Sequence, residues 1–223
     1  KNLNHYVAGI IIEPLLQAAG GMKLHKAEIL REIYNAAQQN DILFIADEVA
    51  TGFGRTGEIF ACNEANITPD IITIGKALTG GYCGLAATIS TKKVFDAFLS
   101  DDTKKALMHG PTFMANPIAC AAAIASIKLL KQNINHVKRI SIQFESELNS
   151  LLKFSSVKDV KIKGAVGIIE MEKDFQIDSI SIKAAEMGIW IRPIGNIIYL
   201  MPPFIITQNQ ISFAIDVIRK LLN

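Results

Sequence analysis

Nearly continuous apolar runs alternate with amphipathic stretches over the first 90 residues of the chain. Such runs are typical of parallel strands that are covered on both faces. They predict strands at residues 7–13, 42–47, 70–75 and 85–90, and apolar residues at helical spacing predict a helix at 26–39. Strands that alternate with helices indicate an α/β domain with a mainly parallel sheet.

The pattern changes in the second half of the chain. Long helices are predicted first, and short strands interleaved with helices follow. The helices are predicted at 116–131, 135–152, 180–187 and 208–222, and the strands at 157–163, 166–171, 189–192 and 197–201. This change predicts two domains: residues 1–140, part of a large domain that includes the joining helix, and residues 141–223, a small α+β domain.

Composition and charge exclude several classes of protein. Half of the 223 residues are hydrophobic and 20% are charged, so the chain can bury a core and is not intrinsically disordered. The net charge of +2 is too balanced to indicate binding to nucleic acid or to an anionic membrane. The sequence has no uninterrupted apolar run of 18 residues, so we expect no membrane-spanning helix.

The spacing of cysteines and histidines indicates neither disulfides nor a metal site. The three cysteines, Cys62, Cys83 and Cys120, form no C-x-x-C pair, and the four histidines lack metal-ligand spacing. A reducing, cytoplasmic location is therefore expected. The chain starts without an initiator Met or a signal peptide, which we expect when something in front has been removed.

An acid and an amine follow two of the predicted strands. Asp47 ends the second strand, and Lys76 follows the third, 29 residues later. A lysine in an apolar crevice can become a neutral nucleophile, and a carboxylate is the usual companion of the pyridine nitrogen in pyridoxal phosphate sites. On pattern alone, a helix cap and a solvated surface charge are as plausible.

Residues 52–57 match G-x-G-x-x-G, and Asp70 lies 18 residues beyond Gly52, as in a dinucleotide-binding fingerprint. The context does not fit, because Asp70 begins a strand and the segment before it is too broken for the required helix. We therefore expect these glycines to serve another purpose.

Two further segments contain candidate ligand contacts. Thr112, in the segment before the helix at 116–131, is either a phosphate contact or part of a tight turn. Asn116 followed by Pro117 predicts a helix N-cap and first turn. Arg192 lies between Trp190-Ile191 and Pro193, where its guanidinium has less freedom to face solvent and could bind a carboxylate.

Taken together, these motifs resemble the class III (subgroup II) aminotransferases of fold type I. The resemblance covers essentially the whole chain. It is carried by IEP at 12–14, ADEVATGFGRTG at 46–57, PDI at 69–71, GKALTGG at 75–81, HGPTFM at 109–114 and WIRP at 190–193.

The resemblance implies the fold-type-I transferase fold and pyridoxal 5'-phosphate as cofactor. It implies that Lys76 carries the cofactor as a Schiff base, moves the catalytic proton and contacts substrate, and that Asp47 pairs with the pyridinium nitrogen. It further implies substrate contacts from Gly110 and Arg192, a phosphate contact from Pro111 and Thr112 supplied across a homodimer, and orienting roles for Glu13 and Glu48.

The activity implied is transamination of 8-amino-7-oxononanoate to 7,8-diaminononanoate in biotin biosynthesis, with S-adenosylmethionine as amino donor. The family pattern also includes an amino-terminal portion with a Gly-Ser phosphate loop and a stacking aromatic residue, so we expect this chain to be the carboxyl-terminal part. The alternatives are another class III aminotransferase acting on ornithine derivatives or ω-amino acids, a nucleotide-dependent oxidoreductase, and a catalytically inert fragment.

Overall fold

A computed structural model describes residues 6–173, 175–177 and 179–222 of the chain. They divide into two compact units. The first contains the residues up to 17 together with 24–53 and 58–131, and the second contains 18–23, 54–57 and the residues from 132 onward. The predicted domain division at residue 140 stays a prediction. His5, one of the four histidines considered above, lies outside the described residues.

Nine strands and seven α-helices are found in the described part of the chain. The strands are β1 (Gly9–Ile12), β2 (Leu16–Gln17), β3 (Lys23–Leu24), β4 (Leu43–Asp47), β5 (Ile71–Ile74), β6 (Ala87–Ser90), β7 (Val157–Lys163), β8 (Val166–Met171) and β9 (Ile197–Leu200). The helices are α1 (Ala27–Gln39), α2 (Ala61–Ala65), α3 (Lys92–Asp96), α4 (Pro117–Asn133), α5 (Asn135–Leu148), α6 (Ile180–Glu186) and α7 (Gln208–Leu221). Single 3₁₀ turns lie at Lys76–Thr79, Thr103–Lys105 and Asn149–Lys153.

The first unit is built on a four-stranded sheet in the order β1-β4-β5-β6. β4 runs parallel to both β1 and β5, and only the edge strand β6 is antiparallel. The α/β class with a parallel-dominated sheet is therefore confirmed. Helix α1 buries Leu30 and Ala37 against this sheet, where the rings of Tyr34 and Phe44 meet edge to face at 5.4 Å.

The second unit packs α5 and α7 on the antiparallel sheet β7-β8-β9. Phe144 and Leu148 of α5 are fully buried in its core, together with Ile215 of α7. Gly167 lets α5 approach β8 closely, because a Cβ atom there would lie 2.5 Å from Leu148 Cδ1. The two longer strands of this sheet, β7 and β8, have the bounds that the sequence predicts.

The prediction of a strand at 189–192 is wrong, because the backbone of this segment makes hydrogen bonds to the end of α6 and not to a neighbouring strand of the sheet. Gly188 has a φ of 90° and ends α6, and the N–H of Ile189 donates to the carbonyl of Ala184 in that helix. Pro193 has no N–H to offer a ladder. Trp190 is 79% exposed while Ile191 is buried in the core, and the segment lies outside the sheet.

Neither a membrane span nor a metal cluster is found among the residues described. Within that part of the chain, no helix combines the length and apolarity needed to cross a bilayer. The same residues contain no group of three or more His, Cys, Asp or Glu side chains that could hold a metal ion.

Candidate active site

The carboxyl ends of β4 and β5 bring the predicted acid and amine to one edge of the sheet. Asp47 is the last residue of β4 and lies beside Thr73 in the parallel register of the two strands. Lys76 follows β5 by two residues. Ligands of open α/β sheets bind at this edge, so the arrangement is that of a candidate active site.

One carboxylate oxygen of Asp47 is held by two hydrogen bonds. Its Oδ1 accepts from the backbone N–H of Val49 and from the hydroxyl of Thr73, each at 3.1 Å. Its Oδ2 has no hydrogen-bond partner among the described residues. Asp47 is half-buried, and so it presents one oriented, open acceptor to a ligand.

A cavity of about 400 Å³ lies beside Asp47 at the ends of β1 and β4. It is lined by Ile11, Ile12, Glu13, Gln17, His25 and Asp47. The mixture of apolar walls and a few polar groups is typical of small-molecule sites. Glu13, which the sequence places at the end of the first strand, thus lines the same cavity as Asp47.

His25 fixes the backbone corner that follows Glu13. Its Nε2 accepts a hydrogen bond of 2.9 Å from the N–H of Leu15, a residue held at a positive φ of 63°. An imidazole nitrogen can accept only when it carries no proton, so the ring is neutral with its proton on Nδ1. Burial also lowers the pKa of His25, because the charged form loses hydration.

Acidification should therefore weaken the fold through His25. A histidine pKa below its unfolded value of about 6.5 means that the unfolded chain takes up the proton first. The free energy of unfolding should fall as the pH drops from 8 through 6.5 towards 5, and it should fall less in the His25→Gln variant. Urea unfolding of both proteins across this range measures the difference, and identical pH profiles would contradict the assignment.

Lys76 occupies a strained position on a well-anchored turn. Its φ is 43°, in the left-handed region that non-glycine residues seldom adopt, and such strain tends to mark functional positions. Leu78 and Thr79 of the same 3₁₀ turn are buried, and the hydroxyl of Ser126 on α4 donates to the carbonyl of Ala77 at 2.9 Å. The backbone of Lys76 is thus held in place by this turn, while its side chain is exposed.

Glu48 is fully buried, and its carboxylate forms hydrogen bonds with the loop that follows β4 and with the start of α2. Its carboxylate accepts from the hydroxyl of Thr51 at 2.6 Å and from the backbone N–H groups of Ala61 at 3.1 Å and Cys62 at 2.8 Å. It therefore satisfies the free donors at the start of α2. Gly52 closes the loop, because a Cβ atom there would lie 2.8 Å from the carbonyl oxygen of Glu48.

The segment with Gly110, Pro111 and Thr112 is exposed in the first unit. It leads into α4, where Asn116 Oδ1 accepts from the N–H groups of Ile118 at 3.0 Å and Ala119 at 3.2 Å. The predicted N-cap is thus confirmed. No hydrogen bond joins the Thr112 hydroxyl to Asp47 or Lys76 in the described part of the chain.

Arg192 lies in the second unit, on a groove of about 320 Å³ whose walls are mostly apolar. Trp190, Tyr199, Met201 and Pro203 contribute to these walls. Its side chain is exposed and has no ion-pair partner among the residues that the structure describes. A guanidinium beside an apolar groove suits a carboxylate on an aliphatic chain.

The G-x-G-x-x-G segment is not a dinucleotide site. Residues 49–56 form turns, and the five-residue helix α2 is too short for the fingerprint. The carboxylate of Asp70 is instead engaged within the protein, because its Oδ2 accepts from the N–H of Phe44 at 2.8 Å and from the amide of Gln38 at 3.0 Å. The sequence-based argument that the context of these glycines does not fit a dinucleotide fingerprint agrees with this geometry.

Arg55, from the same segment, has a structural role that the sequence analysis missed. Within the second unit its Nη1 donates to the carbonyls of Ala165 at 3.1 Å and Pro202 at 2.8 Å, and its guanidinium lies 4.8 Å from the centre of the Phe204 ring. Burial lowers the pKa of Arg55 to about 10, which leaves it charged at neutral pH. Its partners are 110 and 147 residues away in sequence, so no local motif signals them.

Comparison with known protein families identifies the family of this chain. The family described as aminotransferase class-III matches residues 1–222. The chain belongs to this family. Class-III aminotransferases use pyridoxal phosphate, and the fold-type-I assignment is confirmed by structural neighbours that are aminotransferases.

Individual relatives agree with the family assignment. An adenosylmethionine-8-amino-7-oxononanoate aminotransferase from Corynebacterium glutamicum is 43% identical over 93% of this chain and 50% of its own length. The crystal structure of the aminotransferase of that name from Methanocaldococcus jannaschii has a TM-score of 0.89 and 34% identity, over 95% of this chain and 52% of its own. The structure of ornithine aminotransferase from Plasmodium yoelii has a TM-score of 0.86 and 28% identity, over 96% of this chain and 56% of its own. The chain thus spans about half the length of these relatives.

The carboxylate and the amine at the sheet edge suit pyridoxal phosphate. The open Oδ2 of Asp47 suits a protonated ring nitrogen, and Lys76 supplies an amine at the same edge. Oriented acceptors of this kind bind a cationic ring more strongly than a neutral one. The residues present are therefore of the kind that would hold the ring nitrogen and supply the amine for a covalent bond to the cofactor.

Proposed function

We propose that the protein containing this chain transfers an amino group from S-adenosylmethionine to 8-amino-7-oxononanoate and so forms 7,8-diaminononanoate. The observation that carries the proposal is the 43% identity, over 93% of this chain, to a relative named for that reaction. The candidate site supports it, because an acid and a lysine at one sheet edge are what the family chemistry needs.

Each site residue has a distinct task in this proposal. Bound pyridoxal phosphate supplies an electron sink for the bond that is broken at the substrate carbon. Asp47 binds the ring nitrogen through Oδ2 and keeps positive charge there. Lys76 Nζ would hold the cofactor until the substrate amine takes its place, and the freed amine would then take up and return the substrate proton. Arg192 binds the substrate carboxylate, at about 1.5–3 kcal/mol for each hydrogen bond to a charged group.

The segment before α4 contributes from a second subunit. Gly110 is proposed as a substrate contact, and Pro111 and Thr112 as contacts to the cofactor phosphate in the partner site of a homodimer. The exposure of large apolar side chains around them supports a covered surface: Met108 is 90% exposed and Phe113 is 84% exposed.

A second candidate is transamination of ornithine or an ω-amino acid. It is favoured by the similarity to the Plasmodium yoelii ornithine aminotransferase, with a TM-score of 0.86. The two candidates share Asp47 and Lys76 and differ in donor and acceptor. The relative named for 8-amino-7-oxononanoate has the higher identity, so we place the ornithine-type activity second.

Presenting amino donors one at a time separates the two candidates. We expect the full-length protein with pyridoxal phosphate to form 7,8-diaminononanoate from 8-amino-7-oxononanoate when S-adenosylmethionine is the donor. Ornithine and β-alanine should give at most about 1% of that rate, because a site that lacks the matching polar contacts discriminates by about 100-fold or more. Mass spectrometry of the product is the measurement. Amino-group transfer from ornithine to a 2-oxo acid, without transfer from S-adenosylmethionine to 8-amino-7-oxononanoate, would support the second candidate.

A further inference from the structure

The hydroxyl of Thr73 is the side-chain group that ties Asp47 to the neighbouring strand. Thr73 lies directly beside Asp47 in the parallel register of β4 and β5, and its Oγ1 is 3.1 Å from Asp47 Oδ1. The other bond to Oδ1 comes from Val49, two residues farther along the loop. Thr73 thus links the acid to the strand that also leads to Lys76.

Both hydrogen bonds end on the same oxygen, which gives them a directional effect. A carboxylate at the end of a strand can rotate about χ1 and χ2 and exchange its two oxygens. Donors that engage Oδ1 from the loop and from the strand oppose this exchange. The consequence is that Oδ2, which has no partner in the described residues, stays available to a ligand.

We propose that Thr73 is a positioning residue: its hydroxyl holds Oδ1 of Asp47 so that Oδ2 faces the ring nitrogen of pyridoxal phosphate. This inference rests on the function proposed above and assigns a residue that no sequence motif marks. Thr73 acts through Asp47 and does not itself reach the cofactor in this proposal.

Conservative variants distinguish the hydroxyl from the bulk of the side chain. Thr73→Val keeps the volume and loses the donor, and Thr73→Ser keeps the donor and loses a methyl group. In the full-length protein, Thr73→Val should raise the dissociation constant for pyridoxal phosphate about tenfold, the effect expected for one hydrogen bond to a charged group. Thr73→Ser should stay within about twofold of the parent, because the bond is kept.

The ring nitrogen itself provides a readout that packing alone would not move. With ¹⁵N-labelled pyridoxal phosphate bound, the nitrogen chemical shift should move towards the unprotonated value in Thr73→Val and stay unchanged in Thr73→Ser. Thr88→Val is the matched control, because Thr88 is exposed and lies opposite Thr73 on β6. It should leave both the dissociation constant and the chemical shift unchanged.

The outcomes separate this inference from the proposed function. A larger defect in Thr73→Ser than in Thr73→Val would assign Thr73 to packing and overturn the inference. If Asp47→Asn weakens cofactor binding while Thr73→Val does not, the inference fails and the proposed function stands. If the parent protein binds no pyridoxal phosphate, both fail. Should Thr73→Val not fold, as judged by circular dichroism, Thr73→Ala compared with Thr73→Ser gives the same decision.

Discussion

Replacement of Lys76 by alanine is expected to abolish amino-group transfer in the full-length protein. Lys76 combines an exposed amine with a strained backbone at the carboxyl edge of the sheet. Removing a group with these two proposed tasks, to anchor the cofactor and to move the proton, should lower kcat by at least about 10²–10⁴-fold. Steady-state kinetics measures the loss. Borohydride treatment followed by mass mapping should find the cofactor attached to residue 76 in the parent and nowhere in the variant.

Two controls make the Lys76 result specific. Lys76→Arg keeps the positive charge but is always protonated, so it should be as inactive as alanine. Lys128→Ala removes an exposed lysine from α4 of the same unit and should retain full activity. Turnover within about tenfold of the parent in Lys76→Ala would remove this lysine from its assigned role.

Loss of the Glu48 carboxylate is expected to destabilise the protein severely. The Glu48→Ala variant would leave three buried donors without an acceptor: the hydroxyl of Thr51 and the N–H groups of Ala61 and Cys62. An unsatisfied buried group costs about 1–3 kcal/mol, so the free energy of unfolding should fall by about 3 kcal/mol or more. Urea unfolding monitored by circular dichroism is the measurement.

The matched control for Glu48 is an exposed glutamate near the same loop. Glu58→Ala should change the free energy of unfolding by no more than about 0.5 kcal/mol, as is usual for surface substitutions. Glu48→Gln should fall between the two, because its amide keeps one acceptor oxygen. Equal stabilities of Glu48→Ala and Glu58→Ala would show that the buried carboxylate does not hold the loop.

The apolar pattern predicted most of the fold because burial dictates it. The strands that form the parallel part of the sheet are long apolar runs, and only their ends shift by a residue or two. The prediction failed at 189–192, where Trp190 and Ile191 favour a strand but the hydrogen bonds of the backbone depend on the end of α6. Helix α2 has five residues, too few to display a helical period, and the sequence therefore did not predict it.

The candidate site was predictable where it depends on strand ends and not where it depends on loops. Parallel strands end at the same edge of a sheet, so the positions of Asp47 and Lys76 at the ends of β4 and β5 predict that both lie there. The same reasoning could have found Thr73, which lies beside Asp47 in the parallel register. The contact of His25 with Leu15 requires a left-handed residue at Leu15, and the donors to Glu48 come from α2, so neither follows from a sequence pattern.

The surroundings of Cys62 have a consequence for the chemistry of the thiols. Burial, reinforced by the Glu48 charge, raises the pKa of Cys62 far above its usual range. Oxidants and alkylating reagents attack the thiolate, so Cys62 is kept inert at any physiological pH. The helix that follows the Glu48 loop thereby contains an unreactive sulfur atom, whereas the thiols of Cys83 and Cys120 are only half-buried and are the more accessible targets for such reagents.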